Sequence, residues 1–286
     1  MKIRQIHLSI GADEPFRALH SSDGHLCLAD LRDGERKVKL AQSRADAFTG
    51  GHPERLREMA EELFACARER REPLFYTGDF CDFVSRANLE YAKELFSSVD
   101  AFVCAGNHEY SQYVGEAWED ETYKALSFAD VCAAFPNNSI WYDERMIHGV
   151  RFVALDNNYY YVLPEQLERF RRACSDGVPV VLLVHNPLYS RNTYETVMKG
   201  KEPSDPPYLC GCPDELLTEL NDHRRRQQTT DEVTRAFVSF CESAPNLRAV
   251  LAGHLHAFAE TQLDSGIPQI IANGGYRDEC IEYTFD

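Results

Sequence analysis

Five short islands of metal-binding side chains interrupt this 286-residue chain, and four of them directly close a run of apolar residues. They are Asp23-Gly-His25, Gly78-Asp79-Phe-Cys-Asp82, Gly106-Asn107-His108-Glu109, His185-Asn186 and Gly253-His254-Leu255-His256. The segments ahead of them are Phe16 to His20, Pro73 to Thr77, Ala101 to Ala105, Val178 to Val184 and Leu247 to Ala252. A short apolar run that stops at glycine or a polar residue predicts a buried strand delivering its last side chain to a loop. In open α/β sheets, ligands bind in the crevice beyond the carboxyl ends of the strands. The pattern therefore predicts that all five islands meet.

The intervening sequence predicts alternating strands and helices. Ile6, Leu8 and Ile10 alternate with polar residues, and Ala12-Asp-Glu-Pro15 reads as a turn, which predicts an N-terminal hairpin with the strand starting at Phe16. Leu56, Met59, Ala60, Leu63, Phe64 and Ala67 keep helical spacing after Pro53, as do Leu89, Ala92, Leu95 and Phe96 between Ser85 and Ser98. The resulting βαβαβ order implies parallel pairing. Further on, a helix is expected around Glu119 to Ala134, a hairpin from Ile140 to Asp156 turning near His148-Gly149, and a helix opened by Pro164 with Leu167 and Phe170 inward. Pro187 to Thr230 is the least regular stretch, holding Pro203, Pro206, Pro207 and Pro213, and reads as a loop or lid. Val233, Ala236, Phe237, Phe240 and Cys241 restore helical spacing, and Phe258 to Phe285 predicts a meander of short strands. No linker or repeat divides the chain, so one domain over 1–286 with a lid at 187–230 is expected.

Charge and composition narrow the function. A formal net charge of -16 opposes long polyanions, and the basic run Arg224-Arg225-Arg226 reads as a solvated turn. A small phosphorylated substrate stays compatible, because bound divalent cations can dominate the local field. Ile6 to Ile10 is too short and polar for a secretory core, and no stretch approaches the roughly 20 apolar residues of a membrane span. A cytoplasmic location away from membranes is expected. The ten cysteines sit mostly beside apolar residues, and Cys210-Gly-Cys212 lacks a second pair at zinc spacing, so all read as structural.

Each island alone is weak, since a lone aspartate caps helices and a lone histidine packs or hydrogen-bonds. Gly253-His254-Leu255-His256 is stronger, because two histidines one residue apart on a strand point the same way. Together and in order the islands read Asp-x-His, Gly-Asp-x-x-Asp, Gly-Asn-His-Glu, His and Gly-His-x-His. In this the sequence resembles the calcineurin-like metallophosphoesterase superfamily over residues 16 to 256. The stretch Gly149 to Asp156 followed by Leu163 to Leu167 is similar to the strand and helix joining its third and fourth motifs.

The resemblance implies an α/β/β/α sandwich of two mixed sheets flanked by helices. It implies one metal held by Asp23, His25, Asp79 and His256, and a second by Asp79, Asn107, His185 and His254, with Asp79 shared. Carboxylate, amide and imidazole donors without thiolate suit Mn, Fe or Zn. The implied reaction is attack of a metal-bridging hydroxide on a phosphomonoester or phosphodiester, with His108 as general acid. Asp82 either orients His108 through a hydrogen bond or caps the helix near Ser85. His7, His20, His52, His148 and His223 have no paired ligand pattern. The run Asn157-Asn158-Tyr159-Tyr160-Tyr161 either faces a leaving group or packs aromatically at the surface. A protein Ser/Thr phosphatase is disfavoured, because arginine and glycine would follow the second aspartate where Phe83 and Val84 stand. A non-catalytic interaction module on the same scaffold is the alternative of a different class; an oligomeric state does not follow from the sequence.

Overall fold

Apolar and aromatic runs form most of the strands that the sequence predicts in the computed structural model, which describes residues 1–115 and 121–286. In chain order the elements are β1 (Lys2–Leu8), β2 (Phe16–Ser21), α1 (Glu35–Thr49), α2 (Glu54–Arg70), β3 (Leu74–Thr77), α3 (Arg86–Phe96), β4 (Ala101–Cys104), α4 (Glu121–Ala134), β5 (Tyr142–Ile147) and β6 (Val150–Leu155). There follow α5 (Pro164–Ala173), β7 (Val180–Leu183), α6 (Arg191–Val197), α7 (Asp222–Gln228), α8 (Glu232–Ser243), β8 (Leu247–Ala252), β9 (Ala259–Gln262), β10 (Pro268–Ile271) and β11 (Glu279–Phe285). Local chemistry sets several helix starts. The Ser85 hydroxyl accepts from the Asn88 amide at 3.0 Å, and the Asp231 carboxylate accepts from the Thr234 amide at 2.7 Å. Pro164 opens α5, whose Gln166 side chain reaches back to the Leu163 amide at 2.8 Å. The start expected for α4, at Glu119, lies outside the described residues.

The strands make two mixed sheets, ordered β1-β11-β2-β3-β4 and β5-β6-β7-β8-β10-β9. In the first, β2, β3 and β4 are parallel, as the βαβαβ order requires; in the second, β6, β7, β8 and β10 are parallel. The sheets pack face to face through fully buried Phe75, Phe152, Leu183, Leu251 and Phe285, with the Phe75 and Phe152 rings stacked at 4.7 Å. On the outer face of the first sheet, α1 to α4 cover a cluster in which Phe64, Phe80, Phe96 and Phe135 meet edge to face. On the outer face of the second, α5 and α8 close over it through Phe170 and Phe237. This is the α/β/β/α sandwich, and it aims the carboxyl ends of β2, β3, β4, β7 and β8 the same way.

Two expectations are corrected and one helix is added. β1 and β2 are not a hairpin: β11 lies between them, parallel to β1 and antiparallel to β2, so Ile6 faces Tyr283 and Tyr283 faces Ala18. For the same reason residues 258 to 285 are not one meander. β9 and β10 form a hairpin on the second sheet, and β11 crosses to the first. Helix α1 went unpredicted because it buries only Ala41 and Ala45, too little for a periodic apolar signal.

The segment from Pro187 to Thr230 folds as two short helices and a 3-10 turn, with its own apolar cluster of Cys212, Leu217 and Leu220. Its base is pinned where the Gln269 side chain accepts from the Leu188 amide and donates to the Leu188 carbonyl, at 2.8 and 2.9 Å. No described helix is long and apolar enough to cross a membrane.

Because Phe152 fills the space between the sheets, Phe152→Ala should lower stability by about 3–5 kcal/mol without altering the strand order. Urea denaturation checks this; a loss below 1 kcal/mol would mean that the intersheet layer collapses around the gap.

Candidate metal centre

The loops after β2, β3 and β4 are stitched together by backbone bonds before any side chain is considered. Past the end of β2, the amides of Asp23, His25 and Leu26 donate to the carbonyls of Gly78, Asp79 and Phe80 at 2.7 to 3.0 Å. Gly78 has φ +87°, and a Cβ there would lie 2.4 Å from the Gly106 amide nitrogen, so only glycine lets the second and third islands touch. The buried Glu109 carboxylate then takes three amide donors: Asp79 at 2.7 Å and Gly106 at 2.6 Å on Oε2, and Cys81 at 3.0 Å on Oε1. Burial and the nearby Asp79 charge push its pKa up to about 7 against the pull of these amides.

Two clusters that share Asp79 result, bordered by a third group of His25, Asp82 and His108. The first brings Asp23, His25, Asp79 and His256 together, and the second Asp79, His185 and His254, with the potential ligand atoms of each cluster within 4.8 Å of one another. His25 Nε2 lies 2.8 Å from His256 Nε2 and 3.9 Å from Asp79 Oδ2. His185 Nε2 lies 3.2 Å from both Asp79 Oδ2 and His254 Nδ1. Asp79 thus presents Oδ2 to both clusters, while its Oδ1 accepts from the His108 amide at 2.8 Å. Asn107 lines the same cavity as Asp79 and His254. His254 falls in one cluster and His256 in the other, and the expectation that both sit on a strand is corrected. β8 ends at Ala252, and His254 (φ 71°) and His256 (φ 51°) take left-handed backbone turns that part them.

Each imidazole is steered through its other nitrogen. His25 Nδ1 is held by Asp82 Oδ1 at 2.9 Å, and His185 Nδ1 by the Thr77 carbonyl at 2.6 Å. His254 Nε2 meets the Tyr160 hydroxyl at 2.7 Å, and His256 Nδ1 the Tyr276 hydroxyl at 3.3 Å. Arg44 in turn donates to Asp82 at 2.9 Å, and Phe48 stacks on His25 at 4.8 Å. His108 lines the cavity beside the clusters and donates from Nδ1 to the Asp82 carbonyl at 2.9 Å. The Asp82 carboxylate therefore contacts His25 more closely than His108, which it approaches at 3.4 Å, and the helix cap is Ser85 instead.

The donor set suits cations. Burial opposes ionisation of Asp79, yet His185, His108 and His25 hold its carboxyl well below the usual range, and Asp23 is drawn down to about 2 against the same penalty by His256 and His185. Burial would lower His185 too, but Asp79, Asp23 and the Thr77 carbonyl push it up to about 10; burial and that neighbour push His254 down to about 3. Burial also opposes charge on His108, whose pKa is nonetheless raised by Asp79 and Asp82. Asp23 Oδ1 and Asn107 Oδ1 are buried and make no hydrogen bond. Orphaned oxygens beside convergent imidazole nitrogens fit a pair of metal ions.

Several neighbours were not legible in the sequence. Arg44 and Phe48 come from the unpredicted α1. Tyr160 is buried with its hydroxyl on His254, and Asn157 and Asn186 lock the loops after β6 and β7 through three mutual hydrogen bonds of 2.7 to 3.0 Å, so the 157–161 run supports the site instead of packing at the surface. Tyr208 and Arg224, from the irregular segment, line the cavity of about 310 Å³ that opens onto the clusters. His20 is a buried strand residue between Thr77 and Tyr283, and His7, His52, His148 and His223 join neither cluster.

Glu109→Gln would point an amide donor at backbone amides, so it should cost about 1–3 kcal/mol in chemical denaturation. A neutral result would mean that the three-amide clasp carries no stability.

Residues 16–258 match the family model for the calcineurin-like phosphoesterases. Among solved structures, a dimetal phosphatase from Danio rerio is similar at 15% identity and TM-score 0.50, over 92% of this chain and 89% of that one. A putative 5'-nucleotidase from Staphylococcus aureus aligns at 11% identity and TM-score 0.46, over 92% of this chain and 49% of its own length. A phosphopantetheinyl hydrolase from Mycobacterium tuberculosis aligns at 12% identity and TM-score 0.44, over 97% and 93%. No curated protein sequence matches the chain. With five motif loops gathered at one edge of an α/β/β/α sandwich and the family model matched over most of its length, the chain belongs to the calcineurin-like phosphoesterase family and is a metal-dependent phosphoester hydrolase.

Proposed function

We propose that this protein hydrolyses a small phosphomonoester or phosphodiester, using two ions of Mn, Fe or Zn and His108 as general acid. The carrying observation is the shared Asp79 Oδ2, which faces His25 of one cluster and His185 of the other at 3.9 and 3.2 Å. Asp23, His25, Asp79 and His256 would hold one ion, and Asp79, Asn107, His185 and His254 the other. Bound there, two ions supply charge for the phosphoryl oxygens and acidify water. The protein's own part is orientation and proton delivery. Asp82, Thr77, Tyr160 and Tyr276 fix the four imidazoles. His108, anchored through Nδ1, has Nε2 left to protonate the departing oxygen. Its pKa, raised by Asp79 and Asp82 against the penalty of burial, favours the protonated form more than an ordinary imidazole's would. The side chain at the rim is only 10% exposed, which limits competition from water.

Asp79→Asn should lose metal at both sites, whereas His25→Ala should lose mainly one equivalent, as read by elemental analysis of the purified variants. Two full equivalents in the Asp79 variant would sink the bridging assignment.

With Mn supplied, the protein should turn over 4-nitrophenyl phosphate or its bis-ester. His108→Ala should lower kcat by about 10²–10⁴ while leaving metal content unchanged. Absence of metal-dependent turnover of either ester would instead favour an interaction module.

A further inference from the structure

The basic run at Arg224 does not behave as a solvated turn. It lies in α7, and its three arginines part company. Arg225 pairs with Asp222 at 2.6 Å and Arg226 is exposed, but Arg224 is half-buried and lines the cavity over the metal clusters. Its guanidinium is held on two sides. Nη1 donates to Gln227 Oε1 at 2.7 Å, and the guanidinium carbon lies 5.6 Å over the Tyr208 ring. Tyr208 in turn stands edge-on to His254 at 5.7 Å, with its amide fixed on the buried Gln228 side chain at 2.9 Å. A continuous contact path therefore runs from a candidate metal ligand through an aromatic ring to a fixed cation. Lys201 lines the same cavity and enters no ion pair among the described residues. In a chain of net charge -16, this puts two cations on the wall facing the clusters.

We infer that Arg224, assisted by Lys201 and oriented by Tyr208, forms a specificity subsite for a second anionic group on the substrate, so that the preferred substrates are phosphate esters whose leaving group itself carries a negative charge. The inference rests on the phosphoesterase reading and narrows its substrate class. A scissile phosphoryl group at the two clusters would have its charge met by the ions; the Arg224 guanidinium, separated from His254 by the Tyr208 ring, is then available to a second charge. Its planar fork suits a carboxylate or phosphate on the leaving-group side. Gln227 and Tyr208 hold the fork in advance, reducing the side-chain entropy lost on binding. Both cations come from the segment between residues 187 and 230, so leaving-group choice is separated from the metal ligands, which come from elsewhere in the chain.

Two non-hydrolysable ligands of rigid geometry test this on the Mn-loaded protein: phenylphosphonate and 4-carboxyphenylphosphonate, titrated by calorimetry. The wild type should bind the carboxylated ligand at least about tenfold tighter, the effect of one charge-assisted contact. Arg224→Gln should erase that preference while leaving phenylphosphonate affinity within about twofold, Arg224→Lys should keep part of it, and Lys201→Gln should reduce it. Equal affinity of the wild type for the two ligands, or equal weakening of both by Arg224→Gln, would overturn the subsite alone. A protein that binds neither phosphonate would overturn the phosphoesterase reading and the subsite with it.

Discussion

The Glu109 carboxylate is the constraint on which the rest of the site depends. By accepting from the amides of Asp79, Cys81 and Gly106, it ties the loop after β3 to the loop after β4. That clasp sets the backbone of Asp79, the residue common to both clusters, and the Asp79 side chain then secures the His108 amide. One buried carboxyl group thus positions the proposed bridging ligand, and through it the proposed acid. Its surroundings explain why the loops accept this arrangement: burial and a second carboxylate disfavour charge on Glu109, and three converging amide dipoles oppose that penalty.

The backbone at the site is strained where the ligands are. Asp23, His25, Asp79, His254 and His256 all have φ between 46° and 71°. Such conformations cost about 1–3 kcal/mol each for most residues other than glycine, somewhat less for aspartate. They persist because neighbouring contacts over-determine them, including the His254 amide on Asp23 Oδ2 at 2.8 Å and the Gly253 amide on the His185 carbonyl at 3.0 Å. Left-handed turns let residues two apart, such as His254 and His256, serve different clusters, which a strand's alternation forbids.

Much of this was legible in the sequence, and its limits are physical. The strand-end islands are visible because a buried parallel strand must be apolar and then stop, so the gathering of Asp23, Asp79, Asn107, His185 and His254 followed from pattern alone. The left-handed backbone that parts His254 from His256 did not, because positive φ at histidine leaves no compositional trace; their assignment to different metals came from the family resemblance alone. Nor did the partner of β1, since strand alternation reports which face is buried and not which strand lies alongside. α1 escaped notice because its contribution is made by Arg44 and Phe48 at its polar end, not by an apolar stripe. Arg224 was misread because three arginines in a row look alike until a helix turns one inward.

The position of β11 has a consequence for the order in which the molecule can be made. This strand fills the gap between β1 and β2, and the Gly275 amide just before it bonds the Ser22 carbonyl beside Asp23 at 2.7 Å. A chain emerging from the ribosome can form the β2-β3-β4 unit early, but it holds β1 and the Asp23 loop without their partner until residues 275 to 285 have been translated. Assembly of the first sheet therefore waits for the translation of β11, and a nascent chain stalled before that point would expose two strand edges for other chains to pair with.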